Sequence, residues 1–117
     1  MAQQFPMITI DSLKDFGANV DEGLARCLNK EDFYIKMVNL GLNDDKFNKL
    51  IEFVESKNLD SAFETAHALK GVVGNLALTP LLKPIEQITE LLRNHTETDY
   101  SELCEEIKTQ RNKLLAL

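Results

Sequence analysis

His67 stands in the run Ala66-His67-Ala68-Leu69-Lys70-Gly71, inside a segment whose apolar residues recur at helical spacing. Leu59, Ala62, Phe63, Ala66, Leu69, Val73 and Leu76 return every three or four residues, which predicts a helix with one core-facing stripe. At about 100° per residue, His67 projects well off that stripe. Asp60, Glu64, Lys70, Gly71, Gly74 and Leu78 share its face. Two glycines in a helix interior each cost about 1 kcal/mol relative to alanine, so they need a reason. Close helix packing is one, yet both lie toward His67 and away from the apolar stripe. Glycine four and seven residues after an exposed histidine clears room beside the imidazole for a bulky partner or a phosphoryl group. Lys70, one turn on, can fold back toward the same space with a positive charge. An unhindered imidazole beside an ammonium suits a phospho-accepting nucleophile, because free imidazole titrates near about 6.5 and is largely neutral at pH 7.

The other candidate groups carry less. Glu64, one turn before His67, reads as helix surface on the same approach face. His95, in Arg93-Asn94-His95-Thr96, sits near a helix end, where it favours the negative end of the dipole. The two histidines are far apart in sequence with no carboxylate or cysteine at ligand spacing, so no metal site is expected. Asp44-Asp45 and Glu105-Glu106 read as solvated charges. No Ser–His–acid set and no phosphate-cradling glycine loop is visible, so no cofactor is expected on this chain. Cys27 and Cys104 fall in helical segments and are expected to be reduced thiols at or near the core, a disulfide between them being the alternative.

These residues need a helical scaffold, and the chain can supply one. Its 117 residues suffice for a single domain with one modest core. With 44% hydrophobic and 27% charged residues it has the balance of a soluble globular protein. The net charge of −6 argues against non-specific nucleic-acid binding, which needs lysine and arginine on phosphates. No apolar run approaches a membrane span, and Met1–Pro6 lacks the basic and apolar regions of a signal peptide. The expected compartment is the cytoplasm. Residues 1–8 read as a loose lead-in and residues 9–117 as one domain. Thr9, Asn19 and Asn29 are candidate caps for three early helices, with Gly41 and Asn43 marking the next break. Phe47, Leu50, Ile51 and Val54 form a fourth helix, followed by the His67 helix capped by Asn58 or Asp60. Thr79-Pro80 opens a further helix with Leu81, Leu82, Ile85, Ile88, Leu91 and Leu92, made mildly irregular by Pro84. A last helix starts at Thr98 or Asp99. Nothing alternates with period two for long enough to be a strand. The expected class is all-α, a four-helix up-down bundle with short additional N-terminal helices covering one end.

The run from His67 to Leu81 resembles the signature of the histidine phosphotransfer family, His-x-Leu-Lys-Gly, then a small residue, then Leu-Gly-x-x-x-Leu. The resemblance extends over about residues 18–115, including Asn19–Arg26, Phe33-Tyr34 and Asn58-Leu59-Asp60. One departure stands out, since the family usually has glycine where this chain has Ala77; access to His67 is expected to survive, with partner choice altered. The resemblance implies that His67 takes a phosphoryl group from the aspartyl phosphate of one response-regulator receiver domain and passes it to another. It implies Lys70 as the stabilising charge, and Gly71, Gly74, Leu78 and Glu64 on the face a receiver approaches. Past Leu81 the fit is loose and does not assign the partner that often supports the histidine from the next helix, for which Thr89 or a neighbour is the candidate. Mg²⁺ is expected on the receiver only. The partners implied are receiver domains and a sensor or hybrid histidine kinase, with no nucleic acid, no membrane, and a monomer as the default. The chain has no recognisable ATP site, which implies a phosphocarrier without autonomous kinase activity. Two other readings stay open: direct phosphorylation by a kinase domain on a separate chain, and an adaptor that docks receivers without carrying phosphate.

Overall fold

A computed structural model describes residues 8–117. The lead-in expected over residues 1–8 therefore lies outside the described residues except for Ile8, which is buried against the core. Seven helices follow in the described chain: α1 (Ile10–Phe16), α2 (Val20–Arg26), α3 (Glu31–Leu42), α4 (Lys46–Glu55), α5 (Leu59–Asn75), α6 (Thr79–Arg93) and α7 (Ser101–Leu115). The described residues are all-α, with no strand among them. None of their helices is long and apolar enough to cross a membrane. Helix α5, which carries His67, packs against both α4 and α6, and α6 packs in turn against α7.

The periodic stripes go where hydrophobic burial sends them. Ala62, Ala66, Leu69 and Val73 of α5 meet Leu81, Ile85, Ile88 and Leu92 of α6 in one buried cluster with Leu50, Ile107 and Leu114. Arg111 fastens α7 to the end of α3 and the start of α4. Its Nε donates to the Leu42 carbonyl at 2.7 Å, and its guanidinium lies 4.9 Å from the centre of the Phe47 ring. Cys27 and Cys104 are both buried free thiols, and burial pushes the Cys104 thiol up. Helix α6 runs through Pro84 without a break, its buried ring filling core space that a polar residue would not.

The short N-terminal helices gather at the turn between α5 and α6. The Asn19 amide donates to the Ala77 carbonyl at 2.9 Å. From α3, the Tyr34 hydroxyl donates to the Leu76 carbonyl at 2.8 Å, satisfying an acceptor that the end of α5 leaves without a helical partner. Burial, then the nearby Cys27, pushes the Tyr34 phenol up to about 12. The Tyr34 ring lies so close to α2 that a Cβ at Gly23 would sit 2.5 Å from it, which is why that position holds glycine.

Several boundaries differ from the sequence expectation. Gly41 lies inside α3 rather than at its break, and its lack of a side chain serves packing: a Cβ there would meet Leu76, just past α5, at 2.8 Å and Val72 of α5 at 3.3 Å. Asn29 does not cap α3; it has φ 57°, and the cap position falls on Lys30 without a side-chain bond. The last helix begins at Ser101, whose amide donates to Asp99 Oδ1 at 2.9 Å. Phe33 and Leu40 of α3 are exposed, as is Leu28.

Helix ends follow a shared geometry that the sequence does not advertise. Five of them reverse through a left-handed residue one or two positions past the helix, with paired back-bonds to the last turn: Gly17 directly after α1, and Leu28, Lys57, Ala77 and His95 two residues past α2, α4, α5 and α6. Glycine occupies just one of these five, and an L-residue in the left-handed region costs about 1–2 kcal/mol. Lys57 is exposed at φ 61°, so replacing it forfeits little buried surface. Lys57→Gly is expected to raise stability by about 0.5–1 kcal/mol after the extra freedom glycine gives the unfolded chain. Thermal melting checks this, and a lowered midpoint would show that the unfolded-state effect wins.

Candidate functional site

His67 projects from the middle of α5 into solvent, off the buried stripe, as its spacing requires. Asn58 holds the start of this helix, its side chain accepting from the Ser61 amide at 3.3 Å. Around the imidazole lies an open cleft of about 400 Å³. Lys70, Gly71 and Gly74 line it with His67, so the structure brings these four sequence candidates together. Lys70 makes no ion pair among the described residues.

The glycines test the open-face argument directly. A Cβ built at Gly71 would meet nothing within 4 Å, and one at Gly74 would make ordinary contact with Leu82 at 3.9 Å. Neither glycine is needed for helix packing, in contrast to Gly23 and Gly41. Their absent side chains leave room next to the imidazole.

The other side of the cleft comes from residues that periodicity within α5 cannot reveal. Leu82 of α6 and Glu22 and Arg26 of α2 line it together with Asn75. Arg26 Nη1 donates to Asn75 Oδ1 at 3.3 Å and pairs with Glu22 at 3.5 Å, tying α2 to the end of α5. The cleft thus carries a second cation beside Lys70. Phe63 was assigned to the core stripe; it is only partly buried, and its ring stacks on His67 with centroids 5.8 Å apart and planes 24° from parallel. From α6, the Arg93 guanidinium lies 5.0 Å from the centre of the same ring. The spacing of four between Phe63 and His67 was a readable signal for that pair, whereas Arg93 comes from a different helix.

Three expectations are corrected. Leu78 is fully buried and cannot belong to an approach face. The helical face was extended three residues too far, because α5 ends at Asn75 and the chain reverses at Ala77, φ 58°. Ala77 itself is buried in that turn, so its departure from glycine bears on helix termination rather than on access to the histidine. Thr89 is also fully buried, and its hydroxyl donates to the Ile85 carbonyl at 2.6 Å within its own helix. Glu64 is exposed on α5 but does not line the cleft. His95 stands at the end of α6, its Nε2 3.7 Å from Asp60 across the start of α5, with both groups largely exposed.

A second, larger groove of about 820 Å³ lies between the ends of α4 and α7, includes Cys104 and Tyr100, and shares no lining residue with the His67 cleft. Searches of curated proteins and of solved structures each found no match to the chain. A family model described as the Hpt domain matches residues 40–116, from the end of α3 through α7 and including the whole His67 helix. That match spans more than half of the 117 residues, and the chain therefore belongs to the Hpt domain family.

Proposed function

We propose that this protein relays phosphoryl groups between the aspartates of response-regulator receiver domains in a multistep two-component phosphorelay, through phosphohistidine at His67. Membership of the Hpt domain family supports a histidine phosphotransfer role and partners among receiver domains and histidine kinases. The observation that carries the assignment to His67 is its exposure in an open cleft whose lining glycines leave the space beside it empty. The helices α4–α7 serve, in this reading, as an up-down bundle that presents α5 to a partner. A sensor or hybrid kinase feeds the relay, and the chain works as a cytoplasmic monomer with no kinase activity of its own.

The neutral ring, with its proton on Nδ1, attacks phosphorus through Nε2. The P–O bond of the receiver's acyl phosphate breaks, the aspartate leaves as carboxylate, and the ring retains its Nδ1 proton. The reverse displacement onto a second receiver regenerates the imidazole. Phosphoryl transfer has a loose transition state, so in-line placement and charge stabilisation supply most of the rate. This chain contributes placement and the cations lining the cleft, and the receiver brings its aspartate, its lysine and Mg²⁺.

Incubation with a phosphorylated receiver tests the reading. The chain is expected to acquire acid-labile, base-stable phosphate as the receiver loses its own. An adaptor would bind the receiver and stay unlabelled. Label acquired from a histidine kinase with ATP alone, and never from a receiver, would favour direct phosphorylation.

Lys70→Ala is expected to slow transfer about tenfold without loss of fold. A charge-assisted contact is worth about 1.5–3 kcal/mol when well formed, and partial exposure puts Lys70 at the lower end. Quench-flow transfer kinetics measure this, and an unchanged rate would return Lys70 to the solvated surface.

A further inference from the structure

The imidazole of His67 is exposed, yet it does not stand alone. Phe63 precedes it by one turn on α5, and the two rings stack at 5.8 Å with a 24° interplanar angle, an offset geometry favoured by aromatic quadrupoles. Arg93, in the last turn of α6, lies over the Phe63 ring at 5.0 Å. Glu90 aims that guanidinium, accepting from Arg93 Nε at 3.2 Å. A chain of contacts thus runs from Glu90 through Arg93 and Phe63 to the ring of His67. Phe63 packs against the edge of the core while remaining only partly buried, outside the fully buried stripe of Ala62, Ala66, Leu69 and Val73, so part of its ring is free to meet His67.

Resting on the phosphotransfer reading of His67, we propose that Phe63, clamped by Arg93, is a positioning residue that holds the imidazole in the rotamer from which it attacks phosphorus. The physical need is clear. A histidine on an exposed helix face has two open χ1 wells and a broad χ2. In-line displacement succeeds from a narrow range of ring orientations, and fixing the attacking group in that range converts wasted encounters into productive ones. Stacking on Phe63 selects one side of the imidazole's range. The Arg93 contact restrains Phe63 in turn, because a cation over the ring face disfavours its rotation away. The glycines leave the opposite side open, so the ring is held from one side and approached from the other.

The test uses the full chain with a phosphorylated receiver as donor, combined with NMR of the His67 ring in the unphosphorylated protein. In Phe63→Leu, which keeps an apolar side chain at the position, the ring-current displacement of the His67 resonances is expected to vanish. The transfer rate at saturating receiver is expected to fall about three- to tenfold with the half-saturating concentration unchanged. Phe63→Tyr should restore both the resonances and the rate. Arg93→Met should move both in the same direction by less, and it serves as the second variant should Phe63→Leu fold poorly. An unchanged saturating rate in Phe63→Leu would overturn the proposal, as would a raised half-saturating concentration at full rate, which would make Phe63 a receiver contact. A wild-type chain that accepts no phosphate would overturn the reading of His67 and this inference together. A labelled wild type with an unaltered Phe63→Leu overturns the inference alone.

Discussion

His67→Gln is expected to take up no acid-labile phosphate from a phosphorylated receiver while keeping its helical circular dichroism and a cooperative melt lowered by a few degrees at most. Glutamine preserves a polar side chain of similar reach, but its amide nitrogen has no free lone pair and cannot displace an acyl phosphate. The fold should be unaffected because His67 is exposed and contributes nothing to the buried stripe of α5. What is lost on the helix surface is one partial stack with Phe63, worth about 0.5–1.5 kcal/mol at most. The chain contains one other histidine, His95, beside Asp60 at the end of α6 and outside the cleft. Residual labelling of His67→Gln would therefore have to sit on His95 or on a different residue type, and would break the central assignment.

The second large effect concerns the glycines. Gly71→Leu and Gly74→Leu should each block transfer while leaving thermal stability equal or higher. Leucine in a helix is favoured over glycine by about 0.8 kcal/mol, and that gain is realised only where the new side chain has space. A Cβ at Gly71 meets nothing within 4 Å, and at Gly74 the first neighbour is Leu82 at ordinary contact distance. The added side chain would then lie in the cleft beside the imidazole and obstruct a receiver's active face. Overpacking glycines behave in the opposite way, costing about 1–3 kcal/mol when enlarged; Gly23 and Gly41 are of that kind, with clashes at 2.5 and 2.8 Å. Melts paired with a transfer assay on the four leucine variants separate the two classes. A Gly74→Leu protein that is strongly destabilised but still transfers would contradict the open cleft.

Within the sequence, what could be read was whatever a single helix determines about itself. The apolar period placed Ala62, Ala66, Leu69 and Val73 in the core and His67 outside it, since a helix fixes the relative direction of every side chain along its own axis. The same geometry put Lys70, Gly71 and Gly74 beside His67, and the capping roles of Thr9, Asn19 and Asn58 followed from local hydrogen bonding that needs no tertiary partner. The reading failed where a helix stopped without a marker. Leu78 was carried onto the His67 face because nothing in Leu76-Ala77-Leu78 signals a left-handed reversal at an alanine. Gly41 looked like a terminator for the converse reason, since its role is set by Leu76 and Val72 arriving from α5. The far wall of the cleft, made by Glu22, Arg26 and Leu82, and the Arg93 contact on Phe63 belong to the same class. Periodicity reports an angle about one axis, whereas which residues of different helices meet depends on how those axes cross. That crossing is decided by the packing of the whole core, so the phospho-accepting candidate was legible in the chain, while its surroundings were settled only by the fold.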